Sequence, residues 1–212
     1  MIFHTKYLKI FLGAPPNLKS WICPCRRLAI STGSDQHVNI LNIASKNIDK
    51  IINTYNWCYG ITQNEGSLLF CERTKGISRV QLSDNSISLL VKQEGFPDFT
   101  YVITSGDNIY HTNRTANTVS CHKINGDKLW EFQDVAIIRS PRGVVVDRDL
   151  NVYVASESND SVVVISPDGK RCRTVLGESD GIDNPFAIWF DKVKNNLVVC
   201  IFSGKTFLYK VE

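Results

Sequence analysis

Residues 141–155 read PRGVVVDRDLNVYVA, and residues 185–200 read PFAIWFDKVKNNLVVC. Both give a proline, three or four apolar residues, an aspartate, a charged turn, an asparagine and a second apolar run, 44 positions apart (185 − 141 = 44). A pattern repeated at a fixed period constrains a fold more than composition does, because each copy must be one structural unit. Four kinds of run recur. The first is CYGITQ (58–63), TYVITS (100–105), RGVVVD (142–147) and FAIWFD (186–191). The second is RLAIS (27–31), LLFCE (68–72), NIYHT (108–112), NVYVA (151–155) and NLVVC (196–200). The third is VNILN (38–42), ISRVQ (77–81), VSCHK (119–123), VVVIS (162–166) and FLYKV (207–211). A fourth, DKIIN (49–53), SLLVK (88–92), KLWEF (128–132) and RTVLG (173–177), closes most copies. Within the third run Val38, Ile77, Val119, Val162 and Phe207 are 39, 42, 43 and 45 apart, a period near 42.

The runs are short, rich in Val, Ile, Leu and Tyr, and bounded by turn formers, which predicts strands. SPDGK (166–170), INGDK (124–128) and LSDNS (82–86) join third to fourth runs with residues that accept the positive φ of tight hairpins. Four-stranded units of this length predict an all-β fold, a β-propeller with about five blades in this chain. KYLKIFL (6–12) is a lone strand ahead of the first copy, whose inner strand falls near Trp21 and Ile22. The boundaries adopted are 1–20 for that strand, a remnant of a preceding blade, and 21–212 for the propeller. The alternative is that it completes the last blade and seals a five-bladed ring.

The seven cysteines are odd in number and mostly sit inside apolar runs, which fits reduced thiols in a cytoplasmic protein better than a disulfide framework. Cys23-Pro24-Cys25 is the one close pair, with no second pair or His cluster to complete a zinc site. Neither a membrane span nor a signal peptide is indicated, since Lys6 and Lys9 break the opening apolar segment. A net charge of +3 does not announce a nucleic-acid binder.

The stretch SPRGVVVDRDLNVYVASESNDSVVVISPDGK (140–170) is similar to the NHL repeat. Residues 21–212 resemble the C-terminal propeller of tripartite-motif (TRIM) proteins of the NHL type, whose molluscan members carry similar CYGIT and NTVSC segments. Residues 141–191 carry the most specific part of the likeness. It implies a six-bladed type, and recognition of a protein substrate or partner within a ubiquitin ligase system. The sequence departs from the pattern at Ser156 and Glu157, where an aspartate is common, and at Ala187, where glycine is. The spaced Cys/His pairs of a RING finger are absent from these residues, so the ligase step is not theirs.

No catalytic residue, cofactor or metal site is expected. His4, His37, His111 and His122 lack metal spacing, and no Gly-x-Ser-x-Gly elbow occurs. A lactonase or lyase would want carboxylates, Asn or His where inner strands begin, and Trp57, Phe99, Arg142 and Phe186 stand there. Asp147 and Asp191 end equivalent strands and are read as turn caps. In an antiparallel blade the second-to-third and fourth-to-first loops share one face. That face carries Arg73, Lys75, Arg114, Arg139 and Lys205 against ten acids, among them Glu72 and Glu157. Phosphate neutralisation needs the opposite sign, so RNA stands as the alternative ligand, through Arg73, Lys75 and Arg114. Protein recognition is the leading reading, with Tyr55, Trp57, Phe96 and Phe202 as aromatic anchors. Trp57 and Phe96 have a competing role as plugs between blades. A stand-alone truncated scaffold is the remaining non-catalytic reading.

Overall fold

The computed structural model describes residues 27–31, 33 and 35–211. Residues 6–12, 21–22 and 23–25, on which the N-terminal strand, the first inner strand and the close cysteine pair were read, lie outside them. The chain divides into two compact units, one ending at Phe96 and the other beginning at Pro97.

The first unit holds two antiparallel sheets. One consists of β1 (Arg27–Ser31), β2 (His37–Asn42) and β3 (Ile48–Asn53). The other consists of β4 (Cys58–Asn64), β5 (Ser67–Glu72), β6 (Gly76–Gln81) and β7 (Ile87–Lys92). Ala29, Val38 and Ile40 of the first sheet pack on Cys58, Ile61, Leu68, Phe70 and Val80 of the second. Alternation explains the arrangement: successive side chains of a strand point to opposite faces, so each sheet has two apolar sides to cover.

The second unit holds three sheets. They are β8 (Val102–Ser105) to β11 (Lys128–Gln133) through β9 (Asn108–Asn113) and β10 (Thr118–Lys123); β12 (Pro141–Val146) to β15 (Cys172–Leu176) through β13 (Val152–Ser156) and β14 (Ser161–Ile165); and β16 (Pro185–Asp191), β17 (Asn196–Ile201) and β18 (Thr206–Lys210). Strand β12 is buried at every position. Val144 and Val146 enter the core shared with Tyr110, Val119 and Cys121. Val145 turns the other way, into the core built with Ile188, Phe190, Leu197 and Val199. Each such side chain contributes about 2 kcal/mol on leaving water. Gly143 is required by this closeness, because a Cβ there would lie 2.9 Å from the Ile188 backbone nitrogen.

The sheets are consecutive antiparallel meanders, and the fold class is all-β, five sheets of the β-propeller type. The strands fall within two residues of the four recurring runs. Hairpin tips carry the expected left-handed residues, Asn85, Gly126 and Gly169. One register differs from the sequence alignment. Cys58 opposes Glu72 as Pro141 opposes Ser156, so Tyr59, not Cys58, stands where Arg142 stands. The same bulge stands in both first strands, between Cys58 and Ile61 and between Pro141 and Val144, so the slip comes from the turns: β5–β6 (73–75) is one residue shorter than β13–β14 (157–160).

Candidate functional site: an aromatic and basic loop face

In the first unit the β3–β4 loop and the β5–β6 turn meet at one end of the strands. The Arg73 amide donates to the Trp57 carbonyl (3.0 Å) and Asn56 Nδ2 donates to Thr74 Oγ1 (3.2 Å). Thr74 adopts φ 62°, and Gly76 follows at φ 126°, where a Cβ would lie 1.9 Å from the Val91 carbonyl oxygen. Only glycine fits that position.

Glu72 organises the junction. Its carboxylate is fully buried, accepts from the Tyr55 amide (2.8 Å) and the Ser78 hydroxyl, and lies 3.5 Å from the Lys75 ammonium. Lys75 Nζ in turn sits 3.6 Å from the centroid of the Tyr55 ring, and the Arg73 guanidinium sits 4.8 Å from that of Trp57. Tyr55 is 69% exposed and Trp57 37%. Each ring thus carries a cation on its face; the interior carboxylate holds Tyr55 and Lys75, and the Arg73 amide to Trp57 carbonyl bond ties the second pair to the turn. A cleft of about 400 Å3 adjoins them, lined by Tyr55, Asn56, Thr74, Lys75, Leu89, Lys92 and Glu94.

Phe96 corrects the expected anchor set. It is 1% exposed, and its carbonyl accepts from the Thr74 amide (2.9 Å), so it supports the turn from inside and offers no surface. Glu72 is the residue the sequence reading missed. At the end of LLFCE it counted as one more surface acid, and only the return of the chain through Tyr55 encloses it.

Arg114 and Phe202 lie in the second unit, in the β9–β10 and β17–β18 loops. Phe202 is 72% exposed. Arg114 Nε donates to Glu157 Oε2 (3.3 Å), and Arg142 grips the same carboxylate through Nε (2.9 Å) and Nη2 (2.6 Å). The Phe99 ring, at φ 60°, lies 4.7 Å from the Arg142 guanidinium and 5.9 Å from that of Arg114. Burial raises the Glu157 carboxyl, but the two arginines more than offset it and hold the group below its ordinary range. Both Arg114 and Glu157 therefore serve this internal cluster.

His111 and His122 are buried in facing strands with their Nε2 atoms 3.2 Å apart. His122 Nδ1 donates to the Gly126 carbonyl (3.1 Å), so its Nε2 accepts the proton carried by His111 Nε2. Burial, aided by the neighbouring ring, brings His111 down to about 3. Asp147 accepts from the Asp149 and Asn151 amides, and Asp191 from those of Val193 and Lys194, the turn-capping role read from sequence. Cys58, Cys121, Cys172 and Cys200 are free thiols. Among the described residues no group of three or more His, Cys, Asp or Glu side chains is placed to hold a metal ion. No helix among them is long and apolar enough to cross a membrane.

No protein-family model matches the chain, and a comparison with curated proteins gave no match. Solved structures do match. Virginiamycin B lyase from Staphylococcus aureus is 17% identical with a TM-score of 0.64, over 88% of this chain and 67% of that one. A protein of unknown function from Bacteroides thetaiotaomicron is 17% identical with a TM-score of 0.71, over 88% of this chain and 57% of that one. A nidogen/laminin complex gives 16% identity and a TM-score of 0.67, over 87% of this chain and 78% of that one. The chain thus spans between about half and four fifths of these proteins, and what the likeness establishes is the propeller fold.

Proposed function

We propose that the chain is a non-catalytic propeller that recognises a protein partner through Tyr55, Trp57, Arg73 and Lys75, as the substrate-recognition part of a TRIM-like ubiquitin ligase system. The observation that carries the reading is the pair of cation-capped rings on one loop face, Tyr55 and its Lys75 being pinned by buried Glu72. Large aromatic and arginine side chains dominate binding energy at protein interfaces, and a surface ordered in advance loses less entropy on association. The likeness to a nidogen/laminin assembly supports a protein ligand. The ligase context rests on the resemblance of residues 141–191 to the NHL repeat. RNA fits less well: Arg73 and Lys75 already lie on rings, Lys75 is paired with Glu72, and both would have to be drawn off to meet phosphates. A lyase-type activity is disfavoured by His111 and His122, which face each other in the interior.

The test is capture from source lysate on immobilised wild-type chain and on a Tyr55→Ala/Trp57→Ala variant, with and without ribonuclease. The proposal expects a retained protein whose recovery falls about tenfold on the variant, a loss of about 1.4 kcal/mol, survives ribonuclease and leaves the melting temperature unchanged. Identical recovery on both chains overturns it, and loss on ribonuclease treatment transfers the site to RNA.

A further inference from the structure

The flank of the last sheet in the second unit contains a groove of about 1130 Å3. The strand count explains its position. In the sheets β4–β7, β8–β11 and β12–β15 a fourth strand pairs with the third. The sheet β16–β18 holds three strands among the described residues, and β18 pairs only with β17 there. Val164, Val175 and Leu176 line one side of the groove, and Leu197, Tyr209 and Val211 the other. It thus lies between the β12–β15 and β16–β18 sheets, beside the outer strands β15 and β18. Its volume lies at the upper end of the roughly 300–1,000 Å3 of small-molecule sites, and a strand edge with no partner among the described residues, beside an apolar floor, is the setting for strand addition.

Charge selects the occupant. Arg148, Arg171, Arg173 and Lys210 line the groove against Asp147 and Asp149, four cations to two carboxylates. The Asp147 carboxylate is occupied by the Asp149 and Asn151 amides and the Asn151 side chain. Asp168 neighbours Arg171 at the hairpin tip, outside the lining. The chain's own residues 1–12 carry Lys6 and Lys9 and no carboxylate side chain, and a second copy would bring the same cationic rim onto itself.

We propose that this groove binds an acidic, extended segment of a partner protein. The segment adds as the fourth strand of the last sheet, pairing with β18, setting alternate apolar side chains on the Val164–Leu197 floor and directing carboxylates at Arg171, Arg173 and Lys210. The site is separate from the aromatic face of the first unit, and its test does not depend on that face.

The experiment titrates the full chain against three fluorescein-labelled octapeptides: EELWEFEE, patterned on β11 with added glutamates; KKLWKFKK, its basic counterpart; and TKYLKIFL, residues 5–12 of this chain. The proposal expects the acidic peptide to bind, to slow amide exchange in residues 206–210, and to lose about tenfold in affinity with Arg171→Glu/Arg173→Glu. Tyr55→Ala/Trp57→Ala should leave it unaffected. No binding of the acidic peptide at about 1 mM, which corresponds to about 4 kcal/mol, overturns the proposal. So does equal binding of the basic peptide, indifference to the double charge reversal, or tighter binding of residues 5–12.

Discussion

Acidification should destabilise this chain before its carboxylates are protonated, and burial of the His111–His122 pair sets the size of the effect. In the unfolded chain each imidazole takes up a proton near pH 6.5. In the folded chain His111 resists until about pH 3, because its ring is buried and faces a second ring, and burial lowers His122 as well. The unfolded state therefore binds more protons throughout that window, so stability present above pH 6.5 is lost as pH falls toward 3. Between pH 6.5 and pH 5.0 the loss from His111 alone is one and a half pH units at about 1.36 kcal/mol each, about 2 kcal/mol. Urea unfolding followed by tryptophan fluorescence at pH 7.5, 6.0 and 5.0 measures it. The control is His111→Gln/His122→Gln, whose absolute stability is immaterial because the reading is the slope with pH. Equal slopes in the two proteins would refute the reasoning.

Phe96→Ala should lower stability by about 3–5 kcal/mol, the cost of an emptied aromatic core position, while Trp57→Ala costs under about 1 kcal/mol; denaturation of the two variants side by side decides which aromatic is surface. Gly76→Ala should cost more than about 3 kcal/mol, since the added carbon meets the Val91 carbonyl, whereas Gly95→Ala, with open space around it, should cost about 1 kcal/mol from its positive φ alone. Burial pushes Cys58 up to about 12 and Cys121 to about 11. Both should resist iodoacetamide at pH 8 until urea is added, with mass mapping of the labelled peptides as the readout.

Period and turn chemistry made the strands legible because each blade repeats the same burial problem. Val144, Val145 and Val146 show why: a run that must satisfy two cores cannot alternate with polar residues, so it stands out as apolar. Register was less legible. The slip at Tyr59 comes from turns of unequal length in the two sheets, and turn length leaves no mark in the apolar pattern. Phe96 and Trp57 occupy similar loop contexts, and nothing local distinguishes a ring that turns inward from one that turns out. Tyr55, Trp57, Arg73 and Lys75 were found as residues, but their organiser was not. Glu72 becomes interior only through contacts 6 and 17 positions away. Glu157 was likewise counted as a surface acid, although Arg142 and Arg114 claim it.

The central claim, that the Tyr55–Trp57 loop face receives a protein, is tested most directly by a photo-crosslinker placed in that face. Benzoylphenylalanine at position 55 is compared with the same group at position 65, the exposed β4–β5 turn at the other end of the same strands. Irradiation in source lysate, followed by denaturing purification, should give a discrete protein adduct from position 55 and none from position 65. The same adducts from both positions, or none from either, would contradict the account.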